Sequence, residues 1–471
     1  MTGKVVHFSD YKGFGFIKGS DDREYFVHVS QICQDGYKTL ELGQSVMFKP
    51  IMARKGIQAH EVYIVEEENN NDRPIKVSLK KNPFTPQTPV IDPKKFAGRR
   101  KQVAKVVSDL FNGNNVLIHG PRGIGKSSIS YQIYYMTQGD HEILDYLNID
   151  IGDYRFNYLT GDHRCTHRNS LVDVCSGLIC SMKANCGDTF EVSKKEKSAA
   201  FNFNFINGSE KDTLEKLSPS DLAAHFALEI EGIYKSCDGR FNGMAFLIDE
   251  IDVLDKDIPI APFLKSTVEK LQIDYHDEAA FIISGISGTT TRMLSEHASS
   301  SRLLEKMEIS PMPVRELNEI LDRSLAETGV TITDRAKEMI VNLSNNFPHP
   351  VQLIGYHAFN FDSDNKIDND DVAEAKQYII ENTKKQEFNT KFESIVGENN
   401  IEIIRIMASS HLDTVDLNYL KRKLPHLSDR RVTGGIGRLH ESGIVEKIHA
   451  GTFRFQEPLF KTHLQWVFGI K

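Results

Sequence analysis

The apolar positions change rhythm several times along the chain. Over residues 1–66 short runs alternate apolar and polar, as in Lys4-Val5-Val6-His7-Phe8 and Glu24-Tyr25-Phe26-Val27-His28-Val29, with Gly- and Asp-containing turns between them. A period of two is what a half-buried strand requires, and a series of such strands predicts a small all-β barrel. Periodicity then stops. Glu66-Glu67-Glu68-Asn69-Asn70-Asn71-Asp72 opens a stretch with five prolines up to Pro93, so 67–95 is expected to be a linker. Over 96–312, apolar runs at Asn115–His119, Phe156–Thr160, Met244–Ile248 and Ala279–Ser284 alternate with segments of helical period, which predicts a parallel α/β sheet. Residues 313–392 read as consecutive helices, and 393–471 as helices followed by a β-hairpin that turns at Ala450-Gly451.

The run Val116-Leu117-Ile118-His119 enters Gly120-Pro121-Arg122-Gly123-Ile124-Gly125-Lys126-Ser127-Ser128 and leaves into the helical Ile129–Met136. This is Gly-x-x-x-x-Gly-Lys-Ser in the strand, loop and helix setting that its chemistry requires. Glycines let backbone N–H groups wrap phosphate oxygens, and the helix N-terminus favours anions. Lys126 meets the β- and γ-phosphates, and the Ser127 hydroxyl ligates Mg²⁺. ATP and Mg²⁺ are therefore the expected cofactors, with residues 120 to 128 as the cradle. Met244-Ala245-Phe246-Leu247-Ile248-Asp249-Glu250 is an apolar run ending in two carboxylates. Asp249 is expected to hold Mg²⁺ through its water shell and Glu250 to orient and polarise the attacking water. The run from Ala279 ends in Ser284, where a sensor of the γ-phosphate or of water would stand. Ser287 competes for that role, and small polar residues also end strands for purely structural reasons. Arg302, ahead of the strand-like Met307-Glu308-Ile309, is either an arginine finger acting across a subunit boundary or a surface arginine in a salt bridge.

Asn82-Pro83-Phe84, then Phe96-Ala97-Gly98-Arg99-Arg100, then the phosphate loop, resemble the entry of the AAA+/STAND ATPases related to archaeal origin-recognition proteins. The resemblance covers 82–471 and implies a P-loop ATPase core over 96–312 with a helical lid over 313–392. It also implies that Phe96, Gly98 and Arg99 lie against the nucleotide base. Asn346-Phe347-Pro348 resembles the Gly-x-Pro lid motif, which implies that Pro348 touches adenine. Asn346 stands for the glycine, and asparagine also accepts left-handed backbone angles. The helix that follows carries no arginine, so the usual second sensor of the family is missing. Phe201-Asn202-Phe203-Asn204-Phe205, inside an insertion over 185–215, alternates like a hairpin strand that either contacts a partner or extends the core edge.

In the N-terminal segment, alternation puts Phe14 and Phe16 on one face of a strand and Phe26 and His28 on one face of the next. Aromatic rings interleaved with glycines and lysines are what a base-stacking surface requires. Lys4, Lys12, Lys18 and Lys38 can neutralise phosphates beside them. Lys12-Gly13-Phe14-Gly15-Phe16-Ile17, Tyr25–Val29, Asp35-Gly36-Tyr37 and Leu42-Gly43-Gln44 resemble a bacterial cold-shock domain of OB fold across 2–65. That resemblance implies single-stranded RNA or DNA as the partner and adds His7 and Phe8 to the binding face. His7 replaces the family's usual tryptophan and Val29 its final phenylalanine, which should weaken binding or shorten the footprint.

Leu417–Lys423, Ser428–Ser442 and the hairpin Gly443–Phe455 follow the order of a winged helix, with Arg430, Arg431 and Arg438 on the recognition helix. Asp429, Glu441 and Glu446 dilute that patch, so a structural role is favoured over duplex binding. A net charge of −8 confines nucleic-acid binding to local patches. No apolar stretch approaches the roughly 20 residues needed to span a bilayer, and the residues after Met1 form no signal peptide. A cytoplasmic protein without a membrane partner is expected. The six cysteines form no Cys-x-x-Cys pair, so neither a disulfide nor a zinc site is expected, and His163, Cys165 and His167 lack a fourth ligand. The fold class is multidomain: an OB barrel, an α/β P-loop ATPase with a helical lid, and a winged helix. The leading functional expectation is an ATP-driven switch coupled to single-strand binding that acts through a protein effector or a homo-oligomer, with a phage-defence sensor as the analogous layout. The alternatives are a DNA loader or remodeller and a non-hydrolysing assembly scaffold.

Overall fold

Alternation of the kind seen at the N-terminus buries every second side chain, and five such strands close on themselves. The computed structural model describes residues 1–9, 14–33, 40, 43–53, 56–64, 81–187, 211–275, 278–286, 288, 293, 302–412 and 414–470. Two units divide the chain, Met1–Lys80 and Lys81–Lys471. In the first, β1 (Thr2–Ser9), β2 (Phe14–Gly19), β3 (Glu24–His28), β4 (Ser45–Ala53) and β5 (Gly56–Ile64) form a closed barrel in the order β1-β2-β3-β5-β4. Val5, Ile17, Tyr25, Val27, Val46, Phe48 and Val62 fill it.

The second unit is built on a parallel sheet of β6 (Asn115–His119), β7 (Leu159–Arg164), β8 (Met244–Asp249), β9 (Ala279–Gly285) and β10 (Leu304–Glu308), in the order β10-β6-β9-β8-β7. Helices α1 (Arg100–Phe111) and α2 (Lys126–Thr137) cover one face. Helices α3 (Leu171–Cys186), α4 (Pro219–Ser236) and α5 (Ile260–Tyr275) cover the other, each face with its own apolar cluster. Burial on both faces explains why β8 and β9 read as continuous apolar runs. The strand expected over 156–160 begins later and runs on through Asp162, His163 and Arg164, paired along β8 up to Arg164 opposite Asp249. Its polar end breaks the apolar run and so escapes a hydrophobicity reading.

A helical lid follows: α6 (Val314–Leu325), α7 (Asp334–Ser344), α8 (Pro348–Phe361), α9 (Asn369–Tyr378) and α10 (Lys385–Glu393). The C-terminal module comprises α11 (Glu398–Ser409), α12 (Leu417–Lys423), α13 (Asp429–Glu441) and α14 (Pro458–Val467). Its three short strands, β11 (Thr414–Asp416), β12 (Val445–His449) and β13 (Thr452–Phe455), make an antiparallel sheet in the order β11-β13-β12. Lid and module share one continuous core, from Leu317 and Ile354 to Phe460 and Leu464. Glu457, at the start of α14, pairs with Lys384 and Lys391 of the lid, each at 3.4 Å.

Two expectations are corrected. Residues 82–95 are not linker: Phe84 is buried in the lid core, Asn82 Nδ2 donates to the Tyr356 carbonyl at 2.8 Å, and the Thr85 N–H donates to Gln352 at 2.9 Å. Prolines signalled irregular backbone correctly, but irregular backbone pinned by side chains is still packed structure. Cys186 and Cys237, 51 residues apart, form a disulfide where the C-terminal ends of α3 and α4 meet in one apolar core. That proximity is tertiary and leaves no spacing signature. The aromatic run 201–205 lies outside the described residues. Among the described residues no helix is long and apolar enough to cross a membrane.

Candidate nucleotide and nucleic-acid sites

The phosphate loop sits between β6 and α2, at the C-terminal edge of the sheet. Gly125 caps α2 at φ 97°, a left-handed conformation that a side chain would strain, and it lets the first-turn N–H groups of α2 open toward the loop. Lys126 Nζ donates to the carbonyls of Gly120 (3.0 Å) and Pro121 (2.9 Å), inside the loop it would leave to meet phosphates. Burial lowers its pKa, so an anion in the cradle would find a poorly solvated ammonium.

Asp249 ends β8 with no exposed surface at all. Its Oδ1 accepts from the Ser127 hydroxyl at 3.1 Å and from the Ser284 hydroxyl, while Oδ2 is buried without a partner. Burial raises the carboxyl's pKa, outweighing the Ser284 and Ser127 hydrogen bonds and the Arg164 charge, which lower it. A buried carboxylate with an orphaned oxygen beside a hydroxyl is a donor set that fits a hard divalent cation, so Ser127 and Asp249 fit Mg²⁺. Ser284 joins the two carboxylate positions, donating to Asp249 and accepting the Glu250 N–H at 3.1 Å.

Glu250 adopts left-handed angles (φ 56°, ψ 42°), rare for a glutamate and a form of strain that clusters at functional sites. Its carboxylate is gripped by both arms of Arg164, Nε at 3.1 Å and Nη2 at 2.8 Å. Arg164 is exposed and Glu250 partly so, and such a pair is worth about 1 kcal/mol at most. Glu250 can therefore exchange Arg164 for water, and Arg164 can exchange Glu250 for another anion, at small cost.

These groups open onto a cavity of about 430 Å³. Its far wall is a strap, residues 85 to 90, anchored by the Val90 N–H to Ser128 Oγ at 3.0 Å and by Gln132 to the Val90 carbonyl at 3.0 Å. Ser128 thus uses its hydroxyl to hold the strap. Phe96 and Ala97 line the cavity. Gly98 is pressed against α6, where an added Cβ would stand 2.2 Å from the Glu316 carboxylate. Arg99 also lines the cavity, and its guanidinium donates to the carbonyls of Ser310 (2.8 Å) and Ile124 (3.1 Å), clamping the loop. Pro348 begins α8 and packs toward Gly125. Arg122 lies 4.0 Å from Asp252. Arg302 is exposed at the N-terminal end of β10, a full strand length from the loop edge. At about 3.3 Å per residue it cannot reach this chain's own cavity.

On the barrel, β2 and β3 bring Phe14, Phe16 and Phe26 together. Ring centroids are 5.6 Å apart for Phe14 and Phe26, and 5.9 Å for Phe16 and Phe26. His7 pairs with Phe16 across β1 and β2, and His28 with Phe14 across β2 and β3, so the five rings occupy adjoining rows of one outward face. Ser30 holds the His28 ring through Nδ1, at 2.9 Å from its hydroxyl. Lys4 is exposed. Lys12, Lys38 and Ser287 lie outside the described residues. Phe8 is a correction: a β-bulge between Val5 and His7 flips the alternation, turning His7 outward and Phe8 onto the barrel core.

Residues 1–65 match the family model described as 'Cold-shock' DNA-binding domain. Cold shock protein CapB of Pseudomonas syringae pv. tomato is 45% identical over 65 residues, 14% of this chain and 94% of that protein. The chain belongs to the cold-shock domain family. Cold shock-like protein CspC of Bacillus cereus is likewise similar to the cold-shock barrel, 50% identical over 62 residues, 13% of this chain and 95% of the relative. Solved structures are similar at low identity. The Walker-type ATPase of Pyrococcus abyssi aligns at TM-score 0.49 and 15% identity, over 80% of this chain and 99% of that one. The Aeropyrum pernix ORC2 protein in ADPNP–ADP complexes aligns at 0.47 and 12%, over 79% and 94%.

Three elements of the cavity have no motif to announce them: the strap, Arg164 and His349. Arg164 was the most findable, since a charged residue ending a strand beside one that ends in Asp-Glu is a candidate ion-pair partner.

Proposed function

We propose that the chain is a Mg²⁺-dependent ATPase that handles nucleic acid. Asp249 carries this reading: a wholly buried carboxylate with one partnerless oxygen, 3.1 Å from the phosphate-loop hydroxyl of Ser127, is a costly arrangement unless a cation completes it. Mg²⁺ bound there would neutralise charge on the transferring phosphoryl group. The chain's own residues do the rest. The loop N–H groups and Lys126 bind the triphosphate, Ser284 holds the Asp249 carboxylate and the Glu250 backbone in register, and Glu250, once released from Arg164, orients the attacking water.

The cold-shock barrel supplies a stacking face for a single strand of RNA or DNA through His7, Phe14, Phe16, Phe26 and His28. The C-terminal module has the element order of a winged helix. Arg430 and Arg431 on α13 and Arg422 and Lys423 on α12 remain exposed, while Glu446 is spent on Arg454 at 2.5 Å and on Asn345 at 3.1 Å. Those exposed cations, though Asp429 and Glu441 are exposed beside them, favour a DNA loader or remodeller over a sensor reporting to a separate effector. Arg302, too far from its own cavity, fits a role toward a second copy of the chain.

Steady-state ATP turnover of the full chain, alone and with a short single strand or duplex, tests this. Duplex should stimulate turnover several-fold and salt should erase the effect. Glu250→Gln should keep ATP binding and lower turnover by about a hundredfold or more. Turnover indifferent to both nucleic acids would overturn the handling role, and stimulation by the single strand alone would restore the switch reading. Full turnover in Glu250→Gln would remove Glu250 from the chemistry.

A further inference from the structure

His349 is the second residue of α8, and it joins three elements around the cavity. Its backbone N–H donates to the Gly123 carbonyl of the phosphate loop at 3.2 Å. Its side chain packs on Gly123, so that a Cβ added there would stand 3.2 Å from the His349 Cβ. Its ring lines the cavity together with Pro86 of the strap.

The other charged groups lining that cavity are Lys95, Lys126, Arg99, Arg122, Arg164, Glu250 and Asp252, residue types whose reference titrations lie outside the neutral range. His349 is the lining group whose ordinary titration falls there. Behind it lie Lys384, which opposes a proton on the ring, and Glu457 and Glu387, which favour one. Burial outweighs them and holds the ring's pKa below its usual value, so the empty site keeps His349 neutral at pH 7. Several phosphate charges arriving against Gly123 would reverse that balance, since an opposite charge within ~4–6 Å favours the protonated ring by ~1–3 pH units.

We propose that His349 is a proton-linked phosphate contact: a triphosphate entering the cavity draws a proton onto the ring, and the imidazolium then bridges the nucleotide and the lid helix. This rests on the nucleotide site proposed above. The step is an acid–base transfer with no co-reactant, solvent supplying the proton and the ring accepting it. The bound form then holds one proton more than the free form, so affinity must rise as pH falls through the interval between the ring's two titration points. Asp249 acts with the opposite sign where it is protonated, because a bound cation expels its proton. A comparison at fixed Asp249 removes that contribution.

Calorimetric titration of Mg²⁺-ATP into the full chain at pH 6, 7 and 8, in buffers of different ionisation heat, tests the proposal. Relative to His349→Gln, the wild type should bind roughly five- to tenfold tighter at pH 6 than at pH 8 and take up a proton on binding. His349→Arg, with a permanent charge, should bind tightly across the range with no uptake. Identical pH profiles and proton uptake in the wild type and both variants would overturn the proposal while leaving the nucleotide site standing. Absence of ATP binding in all three proteins would overturn the site itself and the proton linkage with it.

Discussion

Asp249→Asn should make the nucleotide-free protein more stable while removing its Mg²⁺-dependent chemistry. The carboxylate is fully buried, and one of its oxygens has no partner. Its pKa is raised by burial, so the native state binds more protons than the unfolded chain between the unfolded and folded values. Unfolding free energy therefore rises as pH falls through that interval, and at neutral pH the ionised group opposes folding. A neutral amide of the same shape removes that cost. A gain of about 1–2 kcal/mol, or roughly 2–5 °C in Tm, is expected without nucleotide. With Mg²⁺-ATP the order should invert, since the amide cannot match the charge of a hard cation, and turnover should drop by about a hundredfold or more. Thermal melts with and without Mg²⁺-ATP check both halves. A destabilised Asp249→Asn that still responds to Mg²⁺ would mean the carboxylate is structural.

Phe16→Ala and Phe26→Ala should each weaken single-strand binding by about 1–3 kcal/mol, or roughly five- to 150-fold. Their rings occupy the centre of the cold-shock face, 5.9 Å apart and edge to face, with Phe14 5.6 Å from Phe26. Both point away from the core, so barrel stability should change little. Phe8→Ala makes the control: it removes a ring packed on the barrel core, so it should cost stability before affinity. Fluorescence anisotropy with a labelled pyrimidine strand, read beside a melt of each variant, separates the two effects. Equal affinity losses for Phe8→Ala and Phe16→Ala at equal stability would contradict the assignment of faces.

Chemistry carried by contiguous residues was legible before any coordinates. The loop from Gly120 to Ser128 and the strand ending in Asp249-Glu250 are local patterns, and each needs only its own backbone to be understood. Chemistry carried by packing was not. Arg164 reaches Glu250 because β7 lies beside β8, His349 reaches the loop because the lid folds back, and Cys186 meets Cys237 because two helix ends converge. Phe8 departs from expectation for a narrower reason. The cold-shock resemblance implies His7 and Phe8 on one face, whereas adjacent strand residues face opposite ways, and the bulge between Val5 and His7 decides which of the two turns outward. The linker expectation failed because composition reports the absence of regular structure, whereas Asn82, Phe84 and Thr85 show that irregular backbone can be fully engaged.

A triphosphate is expected to seat in the loop before Lys126, where Ser127 and Asp249 would hold Mg²⁺. Direct titration of the purified full chain with ATP, with Mg²⁺ present and then chelated, addresses it in the wild type and in Lys126→Ala. Saturable binding that weakens at least about tenfold without Mg²⁺ and is lost in Lys126→Ala is the expected result. Binding unchanged by chelation, or undiminished in Lys126→Ala, would contradict it.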